Sequence, residues 1–458
     1  MMKHFINGVF LMVLVYQSSS CVKTSNVSSN NITPAITNQE TAQYLLNGIY
    51  GTFAVATSSV TGDSETNWGL NHEIIPAMMA GLIYSSPGIG VNPPIVDNSY
   101  AYTIWSNNYD IVNAVNGFIN TVNNLPDSKF TTKSKNEMLG EARFLRAYAN
   151  YQLLSYFGEF YDINSSYGVM LRKEVINTGN ISLKRSSVAD TYAYILADID
   201  FAVTNAPVNN PNYYVNQWVV KALEARVLIN RGVGNDYEQV ISLTNDIINN
   251  GPYSLEPNLK DLFYTKGLNS KEVILGIVPQ PGQNTKASYY EVSFATAMLG
   301  DLMKNDPRGS WEIKPDSVYY FYYNWFDIQK YAGNYPEVSY AFRLTEMYLL
   351  QAEAITRSNG DLSEAKALLK TIMGHAGITD FSPVDNAATA GQLELLIYQE
   401  TTKNLFCEDG AEWFSLMRMG FDQVKISNPT IKNQTQCIFP IPADELEDNK
   451  NMVQNPGY

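Results

Sequence analysis

Histidine and cysteine are scarce in this 458-residue chain, with three of each. His4, His72 and His375 lie far apart, as do Cys21, Cys407 and Cys437. No metal-ligand spacing or haem-attachment motif results, so zinc and haem chemistry are excluded as readings. Positive charge is also in short supply. The 31 Lys and Arg face 45 Asp and Glu, for a net charge of −14. No basic patch supplies the electrostatic footprint that nucleic acids require. Gly-x-Ser-x-Gly, His-Glu-x-x-His and a phosphate loop are all missing, which removes the common hydrolase and nucleotide-binding signatures. After Val15, no apolar run approaches the roughly 20 residues that span a bilayer.

The chain begins with a short apolar leader. Lys3 precedes an apolar run from Phe5 to Val15, and Ser18-Ser19-Ser20-Cys21 follows. That run is too short to span a membrane and suits the core of a signal peptide. Small residues ahead of Cys21 suit cleavage there and acylation of the new N-terminus, as in a bacterial lipoprotein. Each buried acyl CH₂ then contributes about 0.8 kcal/mol to attachment. The expectation is a signal peptide over 1–20 and lipidation at Cys21. Residues 21–38, rich in Ser, Asn and Thr, read as a flexible tether. Cys407 and Cys437 can pair in an oxidising compartment or sit as small buried residues; their spacing leaves both open.

Helical periodicity starts near Thr41 and stops before a polar, Gly- and Pro-rich stretch over 57–98. It resumes over 104–124, 134–157, 187–205, 215–231, 236–250, 341–358, 362–374 and 391–418. Between 252 and 340, short apolar runs such as Val273–Val278 alternate with Pro, Gly and Asn, the pattern of loops with a few strands. Ala352-Glu353-Ala354, Asn359-Gly360-Asp361 and Glu364-Ala365 have the small-residue and turn spacing of a tetratricopeptide hairpin. A looser copy runs from Ala222 to Tyr237. The fold expected is mainly α: a tetratricopeptide-like repeat scaffold with a loop-rich part that contains a few short strands. Its two regions are 39–250 and 251–458, the second holding the central loops over 252–340.

Several segments in order resemble the SusD/RagB family of outer-membrane nutrient-binding lipoproteins. They are Asn47-Gly48-Ile49-Tyr50, Glu141 to Tyr148 with Tyr156-Phe157-Gly158, Asp306-Pro307-Arg308, Lys330-Tyr331, Arg343 to Leu349 with Ala352-Glu353-Ala354, and Pro440-Ile441-Pro442 through Gln454-Asn455-Pro456-Gly457-Tyr458. One segment departs from the family pattern. Around Glu400-Thr401, Asn404-Leu405 and Glu408-Asp409-Gly410, Asp409 looks inserted and two charged partners are replaced, which puts the local ion pairing in doubt but not the fold. The resemblance implies four tetratricopeptide-like pairs, no catalysis, no cofactor and a SusC-type TonB-dependent transporter as partner. It also implies capture of oligosaccharides at the outer membrane, with the lipid anchor displayed on the cell surface. Peptide capture, as in the RagB branch, is the alternative within the family. An exported glycosidase or a pure assembly adaptor are the alternatives outside it.

Sugar capture needs aromatic faces and side-chain amides. Trp105, Trp218 and Trp413 lie at helical spacing and read as core. Trp68, Trp311 and Trp325 lie in the irregular regions. Trp68 and Trp311 are the expected platforms, with Asn67, Asn71 and Tyr290 as neighbours. Trp325 ends the run Tyr319-Tyr320-Phe321-Tyr322-Tyr323-Asn324. Strand alternation there would turn half of these rings to the core.

Overall fold

The structure is a computed structural model and describes residues 36–55, 68–85, 99–317 and 319–458. Cys21 and the leader lie outside the described residues. The chain folds as packed helical pairs. Gln39–Val55 packs on Ser99–Asn123, Lys135–Phe157 on Val188–Asn205, Gln217–Arg231 on Asp236–Asn250, and Leu344–Arg357 on Leu362–His375. Two further helices, Ala390–Leu405 and Ala411–Arg418, close against this set. Among the described residues no helix is long and apolar enough to cross a membrane.

The helix Lys135–Phe157 is the spine. Its start is fixed by a capping box: the Glu137 amide donates to Ser134 Oγ at 3.1 Å, and the Ser134 amide donates to the Glu137 carboxylate at 2.6 Å. From Met138 to Phe157 every residue except Arg143 is buried. Such a helix shows little one-sided patterning because it is covered all round. Gly140 permits the closest approach, since a Cβ there would stand 2.6 Å from the Ala206 amide at the end of the neighbouring helix.

Among the described residues, six short strands and several short helices make up the rest. Strand β2 (Val273–Ile277) pairs antiparallel with β6 (Ser339–Arg343), and both are fully buried. A second, antiparallel sheet has the order β1 (Ile83–Ser85), β3 (Ser293–Ala295), β5 (Phe326–Ile328), β4 (Ile313–Pro315). The helix expected over 341–358 therefore starts only at Leu344, because its first residues belong to β6. The helix expected over 391–418 is broken. Cys407, Asp409 and Gly410 adopt positive φ of 59°, 47° and 72° and turn the chain between the two helices. Cys407 and Cys437 are buried free thiols.

That break is a charge hub. Asp409 Oδ1 accepts from Tyr148 Oη at 2.7 Å and lies 2.8 Å from His72 Nδ1, and its other oxygen accepts from Arg226. Arg226 also forks onto Glu346, at 2.8 and 2.7 Å. Next door, Glu408 accepts from Lys330 at 2.6 Å and from Arg343 at 2.5 and 2.9 Å. Lys330 donates in addition to the carbonyls of Asn404 and Phe406. The residue that looked inserted thus rebuilds the local ion pairing. A third cluster joins Arg308 to Asp306 and Glu400.

Two buried carboxyls behave in opposite ways. Burial alone would raise Glu353, but Arg418 and Arg357 outweigh it and hold the carboxyl at about 2. Glu312 is fully buried, and among the described residues neither carboxyl oxygen has a hydrogen-bond partner. Burial pushes it up to about 8, against the pull of Lys330 and Arg308.

Two predictions follow from these groups. Asp409→Ala deprives buried Arg226 of one of its two carboxylate partners, and it should cost about 3–5 kcal/mol in denaturant-induced unfolding. For pH, Glu353 stabilises the fold above the ordinary carboxylate range, and that contribution is lost as pH falls toward about 2. Glu312 does the reverse: its contribution is complete below the ordinary range and is lost as pH rises through about 8. Glu312→Gln should therefore match wild type near pH ~4 and exceed it by on the order of 4 kcal/mol near pH ~8, read by chemical denaturation across that range.

Candidate functional site

The β1-β3-β5-β4 sheet has two unlike faces. Successive side chains alternate across a strand. Ile83, Ala295, Ile313 and Ile328 point inward and are buried. On the outer face the register sets Tyr84 opposite Phe294, Phe294 opposite Asp327, and Asp327 opposite Lys314. Asp327 and Lys314 form an ion pair at 3.4 Å.

Trp325, two residues before Asp327, falls on this same outer face. Four rings surround it. Tyr84 lies nearly parallel with centroids 4.3 Å apart, Tyr323 likewise at 4.7 Å, and Phe294 at 5.8 Å. Tyr319 is tilted at 5.6 Å. The tyrosines come from the short helix Tyr320–Tyr323 and the turn before it. The Tyr319 amide donates to the Asp316 carboxylate, and the Asp316 amide donates to the Trp325 carbonyl at 3.1 Å, so the hairpin closes on itself. Tyr323 is 57% exposed and Phe321 84%, while Tyr84 and Tyr319 are about two-fifths exposed at 39% and 41%. A contiguous aromatic patch left in water on a folded chain is the feature of a binding surface. Tyr and Trp suit the task because they give a flat apolar face and a polar edge with few rotatable bonds.

The residues expected from sequence sit elsewhere. Trp68 is in the core: its ring stacks on His72 at 3.8 Å and meets Phe53 edge-on at 5.3 Å, leaving 1% exposed. It precedes a π-helical turn, Gly69–Ile74, that is buried throughout. A ring with both neighbours packed offers no platform. Asn71 is buried in that turn. Asn67 lies outside the described residues. Tyr290 is partly buried and donates to Glu73 of the same turn at 2.7 Å. Trp311 packs against Phe263 and Tyr264, each with centroids at 5.9 Å, and its carbonyl accepts from Tyr264. So Trp68, Asn71 and Tyr290 come together around the π turn, Trp311 lies apart, and none joins the outer aromatic face.

Strand alternation would turn half of the rings in the tyrosine run to the core; instead Tyr320–Tyr323 is a short helix, and Phe321, Tyr322 and Tyr323 are exposed. Six aromatics in the seven residues from Tyr319 to Trp325 are too many for one short strand to bury, and that density is the signal in the sequence. Tyr84 and Phe294 carry no such signal.

Comparison with known proteins agrees with this architecture. Residues 23–229 match the family described as "Starch-binding associating with outer membrane", and residues 304–458 match the SusD family. A SusD-like protein of Bacteroides ovatus is 23% identical over 319 residues, covering 58% of this chain and 57% of the relative. The chain thus spans little more than half the length of that relative. Among solved structures, a SusD superfamily protein of Bacteroides thetaiotaomicron superposes with a TM-score of 0.73 at 21% identity, over 91% of this chain and 99% of the other. One from Bacteroides vulgatus gives 0.75 at 18% identity, over 92% and 99%. A laminarin-binding SusD-like protein gives 0.71 at 18%, over 92% and 100%. With its helical pairs, its short outer sheet and these matches along most of its length, the chain belongs to the SusD/RagB family.

Proposed function

We propose that the protein captures oligosaccharides on the outer aromatic face and passes them to a SusC-type TonB-dependent transporter, tethered to the outer membrane by lipid on Cys21. The observation that carries this reading is the ring array around Trp325. Sugar C–H faces lie flat on such rings, and hydroxyls are held by polar groups at the rim. A laminarin-binding relative of the same fold supports a glycan over a peptide. The leader, the Ser-Ser-Ser-Cys21 junction and the tether over 21–38 support the anchor and a site outside the cell.

Two measurements test this. Calorimetry against panels of neutral glycans and of peptides should show glycan binding, and Trp325→Ala should weaken it by about 1–3 kcal/mol. Trp311→Ala should have the smaller effect. Binding confined to peptides would sink the glycan reading, and Trp311→Ala outweighing Trp325→Ala would sink the site. In cells, Cys21→Ala should abolish incorporation of labelled palmitate and free the protein from the membrane fraction; unchanged labelling would refute the anchor.

A further inference from the structure

The aromatic face has a neighbour on the other side of the same strand. A cleft of about 590 Å³ opens between the helix Ala297–Met303 and the β4–β5 edge of the sheet. Its size lies within the roughly 300–1,000 Å³ of small-molecule sites. Met303, Pro315 and Phe326 give it apolar walls. Asp301, Lys304 and Asn324 stand at its lining and are exposed.

Three observations set this cleft apart from a packing fault. First, the exposed side chains of Asp301, Lys304 and Asn324 make no hydrogen bond or ion pair with protein groups among the described residues, so their donors and acceptors are open to a ligand. Second, Asn324 holds φ at 53°, the left-handed region that Asn enters more readily than other residues with a side chain, and this turns the chain at the cleft rim. It places Trp325 on the outer face and Phe326, one residue on, toward the cleft, because consecutive residues face opposite ways. Third, the Phe326 ring is seated. A Cβ on Gly300 would stand 2.1 Å from it, so this wall of the cleft is held against the helix. One carboxylate, one ammonium and one amide beside an aromatic wall present both donors and acceptors with no net charge. That combination fits an uncharged polyhydroxylated ring.

We propose that the cleft is a second glycan subsite, continuous with the aromatic face over the rim at Asn324, so that the protein recognises a bent or branched neutral oligosaccharide. This rests on the glycan reading of the aromatic face. The rings take one stretch of the ligand, and the cleft takes the sugar that turns away at a branch or bend.

The test uses the full chain and glucose oligosaccharides with β-1,3 and α-1,4 linkages, linear and branched, as disaccharides and hexasaccharides, with their mannose counterparts. Asn324→Gly keeps the backbone conformation and removes the amide; Asp301→Ala removes the carboxylate from an exposed position. For wild type, a branched hexasaccharide should bind at least about tenfold more tightly than its disaccharide. In the double variant Asp301→Ala/Asn324→Gly that increment should vanish while disaccharide affinity and folding stability stay as in wild type. Trp325→Ala should weaken both ligands. An increment that survives the double variant overturns the second subsite and leaves the aromatic-face site standing. Failure of every sugar to bind overturns the glycan reading and this inference with it. Crystals soaked in glucose or mannose give an independent readout: sugar on the rings with the cleft empty also overturns the second subsite.

Discussion

The buried carboxylates of Glu408 and Asp409 hold the molecule together at one turn. Asp409 gathers Tyr148 from the spine helix, Arg226 from a repeat helix and His72 from the π turn. Glu408 gathers Arg343 at the end of β6 and Lys330 from the loop after β5. Such clusters add little net stability over a well-packed apolar core, because taking the charges out of water costs about as much as pairing returns. Their effect is on arrangement. Each acid accepts only from donors at particular positions, so elements distant in sequence meet in one register. Cys407 and Asp409 hold left-handed φ at this turn, a conformation that the surrounding contacts sustain.

From that turn the aromatic face is reached by a short chain of contacts. His72 stacks under Trp68 and shares its π turn with Glu73. Glu73 accepts from Lys286 at 3.0 Å and from Tyr290 at 2.7 Å. Lys286 also donates to the Val338 carbonyl at 2.7 Å and lies over the Tyr331 ring at 3.5 Å. These residues fix the helix Thr285–Glu291, and β3 follows it directly with Phe294. The outer sheet is therefore clamped to the scaffold by a buried lysine. A surface that binds by stacking gains from this, because rings already held in place lose little freedom when a ligand arrives.

The helices were legible because their signal is local. Apolar spacings of three and four, a Ser134 cap with Glu137 three residues on, and small residues at the hairpin turns can all be read within one turn or two. The aromatic face was not, because it exists only in register. Tyr84, Phe294 and Trp325 are separated by some two hundred residues at one step and thirty at the next, on strands of three residues that are too short to show a period. Trp68 misled for the opposite reason. Its Gly- and Asn-rich surroundings look like a loop, but the chain there forms a buried π turn. Asp409 lies between: its oddity was visible in the sequence, while its partners, 183 and 261 residues away, were not.

The charge balance narrows what such a face can hold. With a net charge of −14 the chain repels polyanions over any distance that salt leaves unscreened. On the face itself Lys314 is paired with Asp327, which also has Asp316 beside it, so no unpaired positive charge stands there among the described residues to draw in a carboxylate or a sulfate. Ring faces carry partial negative charge, so they too offer an anion nothing, and they act in the same direction as this field. On the proposed reading, a neutral glycan is the ligand for which the rings supply attraction and the rest of the surface offers no opposition.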